Sequence, residues 1–156
     1  RVAGPSTASG VRFNISHSGG LVLCALSRDS EVGVDVETRD RLGIEPTIEA
    51  QCFTAAELRQ LEWSRPVERR YRALQRWTIK EAYLKATGTG LSRDLLSFTV
   101  REWSGGFQIE DPSVPAGSRP WTVRSFLDTD AAWSVVWCDN PDASVDVRLW
   151  RLSDGG

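Results

Sequence analysis

Trp77-Thr78-Ile79-Lys80-Glu81-Ala82-Tyr83-Leu84-Lys85 is the stretch on which the reading of this chain turns. It reads as the later part of a helix. Pro66 suits the first turn of that helix, and Gly88 and Gly90 end it near Thr87. Helical residues advance by roughly 100° each, so with Trp77 at zero, Leu84 falls near about 340°, Glu81 near about 40° and Leu74 near about 60°. Glu81 therefore sits within the apolar stripe. A carboxylate there needs a cation, because a bare buried charge is very costly. Of nineteen basic residues, only Lys80 and Lys85 are lysine, and both fall in this segment. A compact, mobile ammonium differs from a planar guanidinium in what it can hold. Lys85 follows Glu81 by one turn, the favourable order for a helical ion pair. Taken alone, the segment allows two readings, an ordinary salt bridge on a helix or part of a site.

The chain has 156 residues, 40% hydrophobic and 26% charged, which suits one globular domain with a real core. Its net charge of −2 gives no global basic field, so nucleic acid is not an expected partner. No apolar run approaches the roughly 20 residues that span a bilayer, and no signal peptide is visible, so no membrane association is expected. Cys24, Cys52 and Cys138 are odd in number and widely spaced. They fit neither a disulfide framework nor a zinc site and read as reduced core thiols of a cytoplasmic protein. The chain begins with Arg1, as expected of a fragment, a processed chain or a domain cut from something larger.

Residues 1–10, rich in Gly, Pro, Ser and Ala, read as a linker or frayed start. Strands are expected over Val11–Ile15, Leu21–Leu26 and Glu31–Glu37, with the last two forming a hairpin through Arg28-Asp29-Ser30. Ser16-His17-Ser18-Gly19-Gly20 reads as a polar turn. Pro46–Gln51 suits a short helix. Thr54 with Glu57 is a capping-box signature for a helix running to about Trp63. Strands follow over Ser97–Trp103, Phe107–Glu110, Trp121–Leu127, Ala132–Cys138 and Val145–Leu152, with a Pro/Gly/Ser-rich loop over 111–120. The seven Trp residues read as core. Arg69, Arg70, Arg72 and Arg76 crowd the first half of the long helix. They read either as a solvated face or as a landing surface for an acidic partner.

Inside one strand stands Gly33-Val34-Asp35-Val36-Glu37. Strand side chains alternate, so Asp35 and Glu37 share a face, roughly 7 Å apart, while Val34 and Val36 face a core. Oxygen ligands so placed suit a hard cation such as Mg²⁺; an exposed polar strand face is the plain alternative. His17 is the only histidine. Beside two serines and two glycines it is either a structural hydrogen-bonder or, with Ser16 and Ser18, a donor set for a phosphate.

In order and spacing, Phe13-Asn14-Ile15-Ser16-His17-Ser18, Gly33-Val34-Asp35-Val36-Glu37 and Trp77-x-x-Lys80-Glu81-Ala82-x-x-Lys85 resemble the three signature motifs of the Sfp-type 4′-phosphopantetheinyl transferases. Gly88-x-Gly90-Leu91 also looks like that family. The helix motif is the most specific of these, and the resemblance runs from Val11 onward. It implies an α+β fold, an antiparallel sheet packed against a long helix, as one half of a pseudo-dimer. The domain would cover 11–153, with 11–30 the end of a first half and 31–153 the second.

The resemblance also implies a reaction, the Mg²⁺-dependent transfer of 4′-phosphopantetheine from coenzyme A to a serine of an acyl or peptidyl carrier protein, releasing 3′,5′-ADP. Such carriers serve polyketide, fatty acid or nonribosomal peptide biosynthesis. In that reading Asp35, Glu37 and Glu81 hold the metal. Glu81, Lys85 and Asp35 are catalytic, and Ser16, His17, Lys80 and Lys85 bind coenzyme A. Family members are usually longer, so the resemblance implies a missing N-terminal half or a site completed by self-association. The rival expectation is a non-catalytic coenzyme A- or carrier-binding module of a larger synthase.

Overall fold

The computed structural model describes residues 10–39, 46–140 and 144–152. Apart from Gly10, the expected linker lies outside these residues, as does the expected domain end at 153. Among the described residues, eight strands and three α-helices follow in the order β1 (Val11–Ser18), β2 (Leu21–Arg28), β3 (Val32–Thr38), α1 (Pro46–Cys52), α2 (Ala55–Glu62), α3 (Pro66–Thr87), β4 (Thr99–Trp103), β5 (Gly106–Glu110), β6 (Trp121–Leu127), β7 (Ala131–Cys138) and β8 (Ser144–Arg151). This is the α+β arrangement expected, with antiparallel sheets against one long helix.

The strands form two three-stranded sheets, β1-β2-β8 and β3-β7-β6, and a separate β4-β5 hairpin. The expected β2–β3 hairpin is not formed. β2 pairs instead with β1, Ser18 opposite Leu21, and on its other side with β8. The reason lies in Gly19 and Gly20, both at positive φ (51° and 80°). Two consecutive residues of that conformation make the tight turn whose twist matches a hairpin. The Ser16–Ser18 segment, expected as turn, is thereby strand.

Leu21, Leu23 and Ala25 of the first sheet meet Val34, Val36, Ala131 and Val135 of the second, so the two sheets bury one core between them. The other face of β3-β7-β6 carries α3. Ile79, Ala82, Tyr83 and Leu84 pack there against Val123 and Val136, and against Phe98 and Val100. Within this apolar contact Thr78 and Ser134, both fully buried, satisfy each other at 2.7 Å. α2 has the expected capping box, Thr54 with Glu57. α3 has Pro at its start and Gly88 at φ 71° as its left-handed cap. The reading of the tryptophans as core holds for Trp77, Trp121, Trp133 and Trp137, which pack partly buried against it, and not for Trp63, Trp103 and Trp150, which are exposed. None of the seven is fully buried, and Trp63 and Trp103 are 91% and 61% exposed. They sit at a helix end and at a hairpin end, where no second layer covers a ring of that size.

Candidate active site

The site begins with a glycine. On β3, Gly33, Asp35 and Glu37 lie opposite Val136, Ser134 and Ala132, on the face that meets α3. A Cβ on Gly33 would fall 2.0 Å from the Ala82 carbonyl oxygen and 2.5 Å from the Ala86 amide nitrogen. Only glycine lets the α3 backbone cross β3 this closely. That crossing sets Glu81 and Lys85 beside the carboxylates of β3.

Lys85 reaches across to β3. Its Nζ donates to Asp35 Oδ1 at 2.6 Å, to the Val34 carbonyl at 3.1 Å and to Ser16 Oγ at 3.2 Å. The ordinary helical pair with Glu81 is therefore superseded by an interaction between elements. Asp35 is buried, and burial raises its pKa to about 6 even though Lys85 and Ser16 pull the other way. Its second oxygen, Oδ2, is buried and has no hydrogen-bond partner.

Glu81 is in the same condition. Burial first, and then the Asp35 charge, push its carboxyl up to about 7, with Lys85 opposing and Glu37 adding to the rise. Glu81 Oε1 is buried without a partner. Two orphaned carboxylate oxygens on facing elements are costly in a protein interior, and an all-oxygen donor set fits a hard divalent cation. Among the described residues, no three or more His, Cys, Asp or Glu side chains are disposed to hold a metal ion as they stand. Lys85 and Ser16 both engage Asp35 Oδ1, and Ser18 engages Glu37 Oε2.

The β1 residues divide by face. Ser16 and Ser18 are buried against β3, where Ser16 Oγ donates to Asp35 Oδ1 at 2.9 Å. His17 lies on the opposite face, exposed and paired in register with Val22. The three residues therefore do not form one donor cluster.

Lys80 does not join the site. It is fully buried, pairs with the equally buried Glu57 at 2.9 Å and donates to the Leu95 and Phe98 carbonyls at 2.7 and 3.1 Å. Burial lowers its pKa, and Glu57 opposes that shift. Glu57 in turn accepts from the Thr54 and Val100 amides, so this pair clamps α2, α3 and β4. Part of the arginine cluster also turns inward. Arg69 makes a two-pronged pair with Glu49, Arg76 is fully buried against Glu102 and Gln60, and Arg72 also meets Glu102. Arg69 and Arg76 are thus taken up by packing, while Arg70 is exposed and Arg72 partly exposed. Sequence reasoning also missed Asp111. Against the upward push of burial, hydrogen bonds from Arg93 and Tyr83 hold its carboxyl well below the usual range. No local pattern signals such a contact between a loop and a helix.

Comparison with known proteins agrees with this architecture. A family model for the 4′-phosphopantetheinyl transferase superfamily matches residues 31–138. A 4′-phosphopantetheinyl transferase of Bacillus subtilis is 32% identical over 129 residues, covering 82% of this chain and 54% of that protein. The 4′-phosphopantetheinyl transferase psf-1 of Bacillus pumilus is 33% identical over 135 residues, covering 86% of this chain and 55% of that one. The chain thus spans about half the length of the curated relatives it matches. Among solved structures, a holo-(acyl-carrier-protein) synthase from Bacillus anthracis in complex with CoA (3′,5′-ADP) superposes with a TM-score of 0.60 at 19% identity. The overlap covers 69% of this chain and 93% of that one, a likeness of fold.

Proposed function

The chain belongs to the 4′-phosphopantetheinyl transferase superfamily, and from that premise we propose that it carries the metal-binding and catalytic half of an enzyme moving 4′-phosphopantetheine from coenzyme A to a carrier-protein serine. Residues 11–30 are then the end of a first half and 31–153 the second. One observation carries the reading. Asp35 Oδ2 and Glu81 Oε1 are buried, unpartnered carboxylate oxygens on β3 and α3, beside Glu37 and Lys85. Such a set suits Mg²⁺ held by Asp35, Glu37 and Glu81. Bound there, the cation would neutralise the charge of the coenzyme A pyrophosphate.

The remaining roles fall to the chain itself. The serine hydroxyl of the carrier attacks the phosphorus that bears the pantetheine arm. A new P–O bond forms to the serine, and the bond to the other phosphate breaks, releasing 3′,5′-ADP. The serine proton goes to Glu81, the carboxylate that α3 brings to this site. Lys85 leaves Asp35 for the departing phosphate and steadies its charge. Ser16 holds Asp35 in place, and exposed His17 binds a coenzyme A phosphate arriving over β1. Lys80, locked to Glu57, takes no part.

The test is mass spectrometry of an apo acyl or peptidyl carrier protein incubated with the chain, coenzyme A and Mg²⁺. The expected product is the carrier with one added phosphopantetheine on serine, with 3′,5′-ADP formed in equal amount. Coenzyme A binding with an unmodified carrier would favour a non-catalytic binding module instead.

A further inference from the structure

β1 and β3 belong to different sheets, yet three side chains of β1 do what a backbone ladder would do between them. Asn14 Oδ1 accepts from the Val34 amide at 2.9 Å, Ser16 Oγ from the Val36 amide at 3.3 Å and Ser18 Oγ from the Thr38 amide at 3.2 Å. The positions advance by two on both strands, so β1 and β3 run the same way in a fixed register. The two hydroxyls also point their protons at the carboxylates. Ser16 Oγ donates to Asp35 Oδ1 at 2.9 Å and Ser18 Oγ donates to Glu37 Oε2 at 2.9 Å. Gly19 completes the fit. A Cβ there would fall 2.6 Å from Thr38 Cγ2, so the β1–β2 turn sits down on the end of β3.

Ser18 is buried, at 4% exposure, and its hydroxyl is committed on both sides, accepting from a β3 amide and donating to a β3 carboxylate. That excludes it as a donor to an incoming phosphate. Its geometry is that of a group that orients a metal ligand from behind. It fixes one Glu37 oxygen by a charge-assisted bond and thereby fixes the direction of the other. We infer that Ser18 is a positioning residue for Glu37: it acts through that carboxylate on cation affinity and contacts neither cation nor coenzyme A. This rests on the three-carboxylate reading given above.

The probe is Mn²⁺, titrated into the chain and followed by the electron paramagnetic resonance of the free ion, with melting temperature recorded for each variant. Removing such an orienting partner typically weakens metal binding by 10- to 100-fold. Ser18→Ala is expected to weaken Mn²⁺ binding by about tenfold at the low end of that range. Ser18→Thr, which keeps the hydroxyl, should restore it. In a Glu37→Gln background Ser18→Ala should cause no further loss, since its effect passes through the ionised carboxylate. If Ser18→Ala melts below the assay temperature, Ser18→Cys carries the test with the same expected loss, because a thiol fills the space but donates weakly. Unchanged affinity in Ser18→Ala, or an equal loss with and without Glu37, overturns the inference while the carboxylate site stands. Absence of Mn²⁺ binding by the unmutated chain overturns both.

Discussion

Lys85 Nζ stands 2.6 Å from Asp35 Oδ1, an ion pair that joins α3 to β3 across fifty residues of sequence. The pair is asymmetric. The lysine side chain is 28% exposed, whereas the aspartate is 6% exposed, so the cation end can leave and the anion end cannot. Lys85→Ala is expected to lower kcat by about 10²-fold, the scale of a lost electrostatic stabiliser, while the fold survives the loss of Asp35's partner. Steady-state kinetics beside a thermal melt decides it. A lowered melting temperature with kcat intact would make Lys85 a structural residue only.

The raised carboxyls give the chain a pH signature of its own. Folding lifts Asp35 from 3.8 to about 6 and Glu81 from 4.5 to about 7. The folded chain then holds protons that the unfolded chain has already lost. Stability of the metal-free chain must fall as pH rises through that window, and the cost is absent below the unfolded values. Melting temperature measured from pH 4 to pH 8 should decline, and saturating Mg²⁺ should flatten the decline. Glu81→Gln should make it shallower without metal, leaving the share of Asp35. A melting temperature that rises across the window contradicts the burial of these groups.

Lys80 and Lys85 are neighbours in sequence with opposite assignments. Lys80→Met leaves Glu57 buried without its cation, and breaking a buried pair from one side costs about 3–5 kcal/mol. Denaturant unfolding should show that loss. In the fraction that remains folded, KM for coenzyme A should not move, because Lys80 faces Leu95, Phe98 and Glu57. A raised KM with unchanged stability would return Lys80 to the coenzyme site.

Gly33→Ala asks the α3 backbone to move. The added Cβ meets backbone atoms at 2.0 and 2.5 Å, and no side chain is there to swing aside. Overpacking of this kind costs about 1–3 kcal/mol, and backbone contact places it at the upper end. The displaced helix should also weaken Mn²⁺ binding, since Glu81 rides on it. Unchanged stability and affinity would show that the crossing is looser than described.

The long helix, its caps, the α2 capping box and the alternation of β3 were legible because each rests on local chemistry. Pro66, Gly88, Thr54 with Glu57, and Val34 with Val36 act within one or two turns or along one strand. Strand pairing was less legible. Gly19-Gly20 carries a hairpin signal, but the apolar run of Leu21–Leu26 fits either neighbour, and only the positive φ of both glycines settles it. Two of the arginines were illegible for a related reason. Arg69 and Arg76 meet acids on α1 and β4, far off in sequence, so their pattern on α3 resembles a solvated face. Glu81 was singled out as a carboxylate in an apolar stripe, and its raised pKa comes first from that burial.

In the proposed site Asp35, Glu37 and Glu81 act on one cation. Diffraction from crystals grown with Mn²⁺ and coenzyme A, recorded at the manganese absorption edge, tests it most directly. A single anomalous peak is expected in contact with carboxylate oxygens of β3 and of Glu81, with Lys85 displaced from Asp35 toward phosphate. A peak that touches none of these three carboxylates, or coenzyme A bound with Lys85 still on Asp35 and no peak between β3 and α3, would contradict it.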